Sequence, residues 1–321
     1  MNWKQKIMML NKLYCEEIYF KNGEMIGIGS KNEQKILKLK CNYSEEIYIK
    51  VNFVELKRTK KFKNPKLFID EDKLIIKDSD FKVKLNFIEE VISNNIGNNK
   101  KHIKRIKTKE FYNIFNKLYN FTDKKHDILK GILLDTTGNL VSTNSQVLII
   151  YENFLKNFEE KILIGCFKKF IKKLKKFKGS FNLYYNKNYF YIENEEMTFL
   201  IGLIKSNFPK YENLFRNDLD FKLFFRNNEL KNKLKKIKPF IKKGIIFDYE
   251  NSVMKADYNS EAKIFIEGNF KDKLRVSYKH LKKLVDMNNQ EKLVFYIKNN
   301  EEAIRCRINN FKILLMPMVL K

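Results

Sequence analysis

Residues able to carry covalent chemistry are few in this chain, and they are scattered. The three histidines, His102, His126 and His280, lie far apart, with no H-E-x-x-H pattern and no Cys/His spacing, so they indicate no metal site. Cys15, Cys41, Cys166 and Cys306 occur singly without a C-x-x-C pair, which reads as reduced, mostly buried thiols of a cytoplasmic protein rather than zinc ligands or disulfides. The acidic stretch "DEDK" at 70–73 falls between two alternating runs and reads as a hairpin turn rather than a cluster of metal-binding carboxylates. No G-x-x-x-x-G-K-[ST], G-x-G-x-x-G or G-x-S-x-G occurs. The chemistry that remains is ionic: 65 basic residues against 38 acidic ones leave a formal charge of +27, which attracts a polyanion, nucleic acid first. An AT-rich coding bias would also raise the lysine content, so the placement of the lysines says more than their number. The reading is a binding protein, with no cofactor, nucleotide or metal signature, and not an enzyme.

The lysines sit on helices. In "GCFKKFIKKLKKFKG", Phe167, Phe170, Ile171, Leu174 and Phe177 form one apolar face, and Lys168, Lys169, Lys172, Lys173, Lys175 and Lys176 cover the rest. One such helix would usually be no more than a solvated face. However, Lys57, Arg58, Lys60 and Lys61 occupy a matching stretch about 110 residues earlier, and Lys279, Lys282 and Lys283 one about 110 residues later. Lysines repeated on equivalent helices add into one surface able to follow a phosphate backbone without reading bases.

The elements that must position them also recur. Each of the three lysine-bearing stretches leads into a hairpin of alternating residues, with turns at "DEDK", "YNKN" and "KNNEE". Ahead of each lies another helix followed by strands, at "WKQKIMMLNKLY", "TKEFYNIFNKLYNF" and "ELKNKLKKIKPFIKKG". Thr108 is placed to cap the second of these over a stripe of Phe111, Ile114, Phe115 and Leu118, and Leu230, Leu234 and Ile237 stripe the third before Pro239. With 321 residues, 44% of them apolar, the chain divides into tandem α+β domains at 1–98, 99–213 and 214–321. No apolar run reaches the roughly 18 to 20 residues of a membrane span, and the opening residues read as a helix rather than a signal peptide. The run "ILLMPM" reads as the last strand of the third copy.

Three stretches carry a family likeness. "LLMPMVL" resembles the terminal apolar-Met-Pro-Met strand of the bacterial-type DNA sliding clamp, the processivity subunit of the replicative polymerase. "LIGLIKSNFPKYENLF" resembles the clamp segment in which an apolar strand runs into G-x-F-P-x-Y. "ILLDTTGNLVSTNSQVLII" is similar to the central-domain hairpin that ends in T-D-G-H-R-L. Order and spacing agree with that family, and the threefold repeat extends the likeness over most of the chain. Departures are local: Ser145 and Gln146 stand where the motif has glycine and histidine, Val319 replaces an arginine, and the first domain is short, with no opening strand.

The resemblance implies a homodimeric ring of three clamp-like domains per chain, with helices lining a central channel and antiparallel sheets outside. Such a ring encircles double-stranded DNA irrespective of sequence and tethers a DNA polymerase, while a separate clamp loader opens it. Lys57, Lys61, Lys168, Lys169, Lys172, Lys176, Lys235 and Lys282 would face DNA. By position, Leu129, Thr143, Ser145, Gln146, Leu148, Pro209, Leu214, Leu314, Met316, Pro317 and Met318 match a pocket for short partner peptides of polymerase and loader. Unbranched, polarizable Met316 and Met318 suit a surface that repacks around different peptides. A rival reading is a basic replication initiator or accessory protein that binds DNA directly. That would need side chains able to read base edges, whereas these helices offer mostly lysine, which positions rather than specifies.

Overall fold

The computed structural model describes residues 1–29, 35–41, 48–71, 73–89, 99–123, 125–175, 177–215, 221–256 and 260–319. Lys176, one of the lysines expected to face DNA, lies outside them. One succession of elements recurs three times. The first copy runs through α1 (Trp3–Leu10), β1 (Glu17–Lys21), β2 (Glu24–Gly29), β3 (Lys35–Lys40), β4 (Tyr48–Asn52), α2 (Phe53–Leu56), β5 (Lys66–Asp70), β6 (Lys73–Asp78) and β7 (Phe81–Glu89). The second opens with β8 (Lys101–Lys107) and continues through α3 (Thr108–Tyr119), β9 (Ile132–Leu134), β10 (Leu140–Thr143), β11 (Val147–Tyr151), β12 (Ile162–Ile164), α4 (Lys168–Leu174), β13 (Ser180–Tyr185), β14 (Tyr189–Asn194) and β15 (Met197–Gly202). The third holds β16 (Phe221–Arg226), α5 (Asn227–Ile237), β17 (Gly244–Asp248), β18 (Val253–Ala256), β19 (Glu261–Lys263), β20 (Ile266–Gly268), β21 (Lys273–Ser277), α6 (Tyr278–Met287), β22 (Lys292–Ile297), β23 (Ile304–Ile308) and β24 (Phe311–Leu315).

Spatially the chain forms two compact units. The first comprises Met1–Asn116 and Ile164–Lys205. Its sheet has eleven strands in the order β5-β6-β7-β4-β1-β2-β3-β15-β14-β13-β8, so the first and second copies join where β3 pairs with β15, Leu37 opposite Phe199. Alternation along each strand sends one set of side chains toward the helices. In β13 this buries Phe181, Leu183 and Tyr185, and the core gathers aromatic rings, with Phe170 of α4 stacked on Phe199 at 3.9 Å and Phe111 on Phe115 at 4.3 Å. As the sequence predicts, α4 buries Phe170, Ile171 and Leu174. The α2 helix ends after Leu56 in a tighter turn over Lys57–Lys61, whose buried Thr59 accepts from the Trp3 indole at 3.0 Å through its hydroxyl. Thr108 begins α3, and its hydroxyl donates to the Gly179 carbonyl at 3.1 Å.

The second unit comprises Lys117–Leu163 and Ser206–Lys321. A nine-stranded sheet runs β12-β9-β10-β11-β24-β23-β22-β16-β20, and a four-stranded one β19-β18-β17-β21. Here the second and third copies join where β11 pairs with β24. The expected stripe of α5, Leu230, Leu234 and Ile237, is buried, and α5 packs on α6, which buries His280, Leu281, Leu284 and Val285. The turn asparagines work as expected: Asn299 Oδ1 accepts from the backbone of Glu301 and Glu302, and in the first unit Asn186 does the same for Asn188 and Tyr189. Of "DEDK", Asp70 stands opposite Lys73 where β5 gives way to β6, and Asp72 lies outside the described residues.

Candidate functional site

The hairpin of β10 and β11 organises the apolar site in the second unit. Its turn is closed by Asn144, whose Oδ1 accepts from the backbone N–H of Gln146 at 3.1 Å and Val147 at 2.8 Å. Thr143 Oγ1 donates to the Val147 carbonyl at 2.9 Å and accepts from Ser145 N at 3.2 Å. Ser145 thereby takes φ +70°, a left-handed conformation that normally favours glycine. The sequence puts a serine here, and the Thr143 and Asn144 side chains hold it in place.

Register brings three of the expected pocket residues into one cross-strand row. Thr143 lies opposite Leu148, and Leu148 opposite Leu314. Leu148 and Leu314 are buried, and Met316, two residues beyond Leu314 on the same side of the chain, is 45% exposed. The ladder continues one step past β24, where Met316 N donates to the Gln146 carbonyl at 2.9 Å. Pro317 has no N–H to extend it. The chain then changes sheets: Met318 N donates to the Arg275 carbonyl of β21 at 2.8 Å, and Arg275 Nη1 donates to the Val319 carbonyl at 3.0 Å. Met318 lies so close to Gly244 that a Cβ there would meet its sulfur at 2.9 Å. Pro317 therefore does more than end a strand. It hands the backbone from the nine-stranded sheet to the edge of the four-stranded one.

Separate anchors hold the remaining pocket residues. Leu214 ends a short 3-10 turn, Glu212–Leu214, and is 54% exposed, while Pro209 is exposed just before it. Tyr211, between them, is buried and donates its hydroxyl to the buried Asp135 carboxylate. Asp135 also accepts from Thr137 Oγ1 at 2.7 Å and Asn139 N at 2.8 Å. Burial, reinforced by the Asp135 charge, pushes the Tyr211 hydroxyl well above the usual tyrosine range, so it stays a donor. Lys161 adds an ion pair to Glu212 at 3.2 Å. Leu129 is half-buried in the 3-10 turn Asp127–Lys130, where its N–H donates to the His126 carbonyl at 3.0 Å.

Sequence reasoning missed the residues behind this surface. His280 is buried, and its Nε2 lies 3.1 Å from Asn144 Nδ2. Because Asn144 Oδ1 already serves the turn, its amide nitrogen is the atom left to face the imidazole, which accepts as the neutral ring. Burial, then the charges of Lys283 and Lys279, lower the His280 pKa to about 4. A lone histidine on an apolar helix face gives no local sign of a partner 136 residues away. Tyr211, Arg275 and Gly244 are likewise contacts made across the fold.

Of the lysines, Lys57 and Lys61 are exposed on the turn after α2, and Lys169 and Lys172 are exposed on α4 with Lys168 half-buried. Lys169 Nζ donates to the Tyr14 hydroxyl at 3.1 Å and sits 4.6 Å above its ring. In the second unit Lys235 is exposed on α5, and Lys282 on α6 is ion-paired with Asp286 at 2.5 Å. Among the described residues no helix is long and apolar enough to cross a membrane.

No family model matches the chain, and no curated protein matches it. Solved structures do. The DNA polymerase sliding clamp of Pseudomonas aeruginosa superposes with a TM-score of 0.78 at 14% identity, covering 100% of this chain and 99% of that one. The DNA polymerase III β subunit of Borrelia burgdorferi, solved in complex with a natural product, gives 0.80 at 16% identity, covering 99% and 97%. A putative DNA polymerase III β subunit from Eubacterium rectale gives 0.80 at 13%, covering 98% and 96%. Three repeats of helix and antiparallel sheet, joined by strand pairing between copies, define a clamp-type α+β fold. More particularly, this chain has the fold of the bacterial DNA polymerase III β sliding clamp.

Proposed function

We propose that this protein is a DNA sliding clamp, which encircles duplex DNA and tethers a DNA polymerase for processive replication. The observation that carries the reading is the likeness over the whole chain to clamps at a TM-score of 0.78, with 100% of this chain and 99% of the other covered. In this reading the three domains are residues 1–98, 99–213 and 214–321, and the protein does no chemistry of its own. Lysines of α4, α5 and α6 and of the Lys57–Lys61 turn hold phosphates without reading sequence. The row of Thr143, Leu148 and Leu314, with Met316, Pro317, Met318, Leu129, Pro209, Leu214 and the Ser145–Gln146 rim, takes short apolar peptides from polymerase and loader. Four free cysteines suit a cytoplasmic setting.

The pairing between copies supports ring closure. The third strand after the first helix of copy one (β3) pairs with the last strand of copy two (β15), and the third strand after the first helix of copy two (β11) with the last of copy three (β24). Applied once more, the rule pairs the third strand after the first helix of copy three (β19) with the last strand of copy one (β7), which in this reading a second chain supplies. β19 is the edge of its sheet; β7 lies between β6 and β4 but pairs with β4 only over Phe87–Glu89, and its other end carries Phe81, 72% exposed. Two chains joined head to tail twice close a ring. Light scattering across a concentration series tests this: the native chain gives twice the 38.7 kDa mass, and Phe81→Asp shifts the equilibrium toward monomer with the fold retained. A native chain that stays monomeric at high micromolar concentration contradicts the ring.

A further inference from the structure

Among the described residues of the second unit four large apolar side chains are conspicuously exposed, and Leu214, Met316 and Val319 belong to the segments already described. Phe240, 47% exposed, does not. The stripe of α5 ends at Ile237, and the 3-10 turn Lys238–Phe240, opened by Pro239 and closed by Ile241 N donating to the Lys238 carbonyl at 3.3 Å, carries Phe240 away from the buried face. Its neighbours along the chain are cationic. From Leu230 to Phe247 the chain has seven lysines and no carboxylate, and Lys235, Lys236, Lys238, Lys242 and Lys243 are exposed. The first copy repeats the pattern just after its own first helix, α1: Tyr14 is 58% exposed, two residues from Lys12, with Lys169 4.6 Å above its ring.

An exposed flat ring set among lysines matches a ligand that offers anionic groups and an open π-face together. Single-stranded nucleic acid has both, because its bases are free to stack on a side chain while its phosphates meet the cations. A duplex presents the phosphates but keeps its base faces inside the stack, so the lysines can serve it and the phenyl ring cannot. We propose that Phe240, with Lys235, Lys236 and Lys238, forms a single-stranded DNA contact in which one base stacks on the Phe240 ring while the lysines hold the flanking phosphates. The proposal rests on the reading of the chain as a DNA-binding clamp and adds to it a preference for DNA that carries an unpaired stretch.

The test is fluorescence anisotropy of the full chain with a labelled oligothymidine and with a hairpin duplex of equal length, at low salt. Phe240→Ala should weaken oligothymidine binding roughly 5- to 100-fold and leave duplex affinity within about twofold. Phe240→Trp should keep the single-strand affinity, and its indole emission should be quenched by DNA above the constant signal of buried Trp3, the only native tryptophan. Unchanged oligothymidine binding by Phe240→Ala overturns the stacking contact, and so does an equal loss for both DNAs. If Lys235→Glu, Lys236→Glu and Lys238→Glu together weaken both DNAs while Phe240→Ala is silent, the clamp reading stands and the stacking proposal falls. Failure of the native chain to bind either DNA removes both.

Discussion

The side-chain amide of Asn144 donates to Nε2 of buried His280 across 3.1 Å, fastening the turn that carries Ser145 and Gln146 to helix α6. The same helix carries Lys279 and Lys282, so one hydrogen bond links the rim of the proposed peptide pocket to a helix proposed to face DNA. The bond requires a neutral imidazole, because a protonated ring has no lone pair at Nε2 to accept it.

A pH dependence follows. The pKa of His280 is about 4 in the folded chain and the ordinary 6.5 when unfolded, so the unfolded state binds the proton first as pH falls. Stability from the neutral ring is complete above pH 6.5 and declines progressively toward pH 4. Between about pH 7 and 5 the native chain should lose roughly 2 kcal/mol that His280→Gln does not. Urea unfolding of both proteins at the two pH values checks this, and parallel losses would exclude His280 as the source.

Ser145→Gly should raise stability. A serine at φ +70° is strained by about 1 kcal/mol, and part of the relief is returned through the greater freedom of glycine in the unfolded chain. The expected net gain is a few tenths of a kcal/mol up to about 1 kcal/mol. A lower urea midpoint for the variant would mean that the Thr143 and Asn144 hydrogen bonds fully compensate the strain.

Tyr211→Phe should destabilise the second unit by about 1 to 2 kcal/mol, since Asp135 is deprived of one donor but keeps Thr137 and Asn139. It should also weaken binding of an apolar polymerase-tail peptide by loosening the segment of Pro209 and Leu214. Met316→Glu, at a 45% exposed position, should abolish peptide binding with little effect on the unfolding midpoint. Calorimetric titration of the peptide separates the cases: native affinity in Met316→Glu would place the peptide elsewhere.

Replacing Lys168, Lys169 and Lys172 together by Glu should reduce duplex affinity equally for unrelated sequences. The slope of log affinity against log salt should fall by about 0.9 for each phosphate that the variant no longer neutralises. The circular dichroism spectrum should not change, because Lys169 and Lys172 are exposed and the buried face of α4 is untouched. An unaltered salt slope would assign these lysines to a solvated surface.

What the sequence made legible was local. Phe170, Ile171 and Leu174 on α4, and Leu230, Leu234 and Ile237 on α5, announce their helices by spacing, and the hairpin turns announce themselves through asparagine. Periodicity does not say which strands meet across the fold. Nothing around Leu37 names Phe199 as its neighbour, and nothing around Leu148 names Leu314, because pairing partners are fixed by the packing of whole sheets. The row of Thr143, Leu148 and Leu314 was therefore reachable only through a family likeness. Thr108 makes the same point: its hydroxyl donates to the Gly179 carbonyl, a partner 71 residues away that its own helix does not announce.

Whether the chain holds DNA by enclosing it is tested most directly by a threading experiment. The protein is incubated with a linear duplex carrying biotin at both ends, the ends are blocked with streptavidin, and the salt is raised until phosphate contacts are screened. Enclosure predicts that protein remains on the blocked duplex and slides off an identical duplex with open ends. Equal loss from both duplexes at high salt would contradict it, leaving a basic protein that binds DNA from one side.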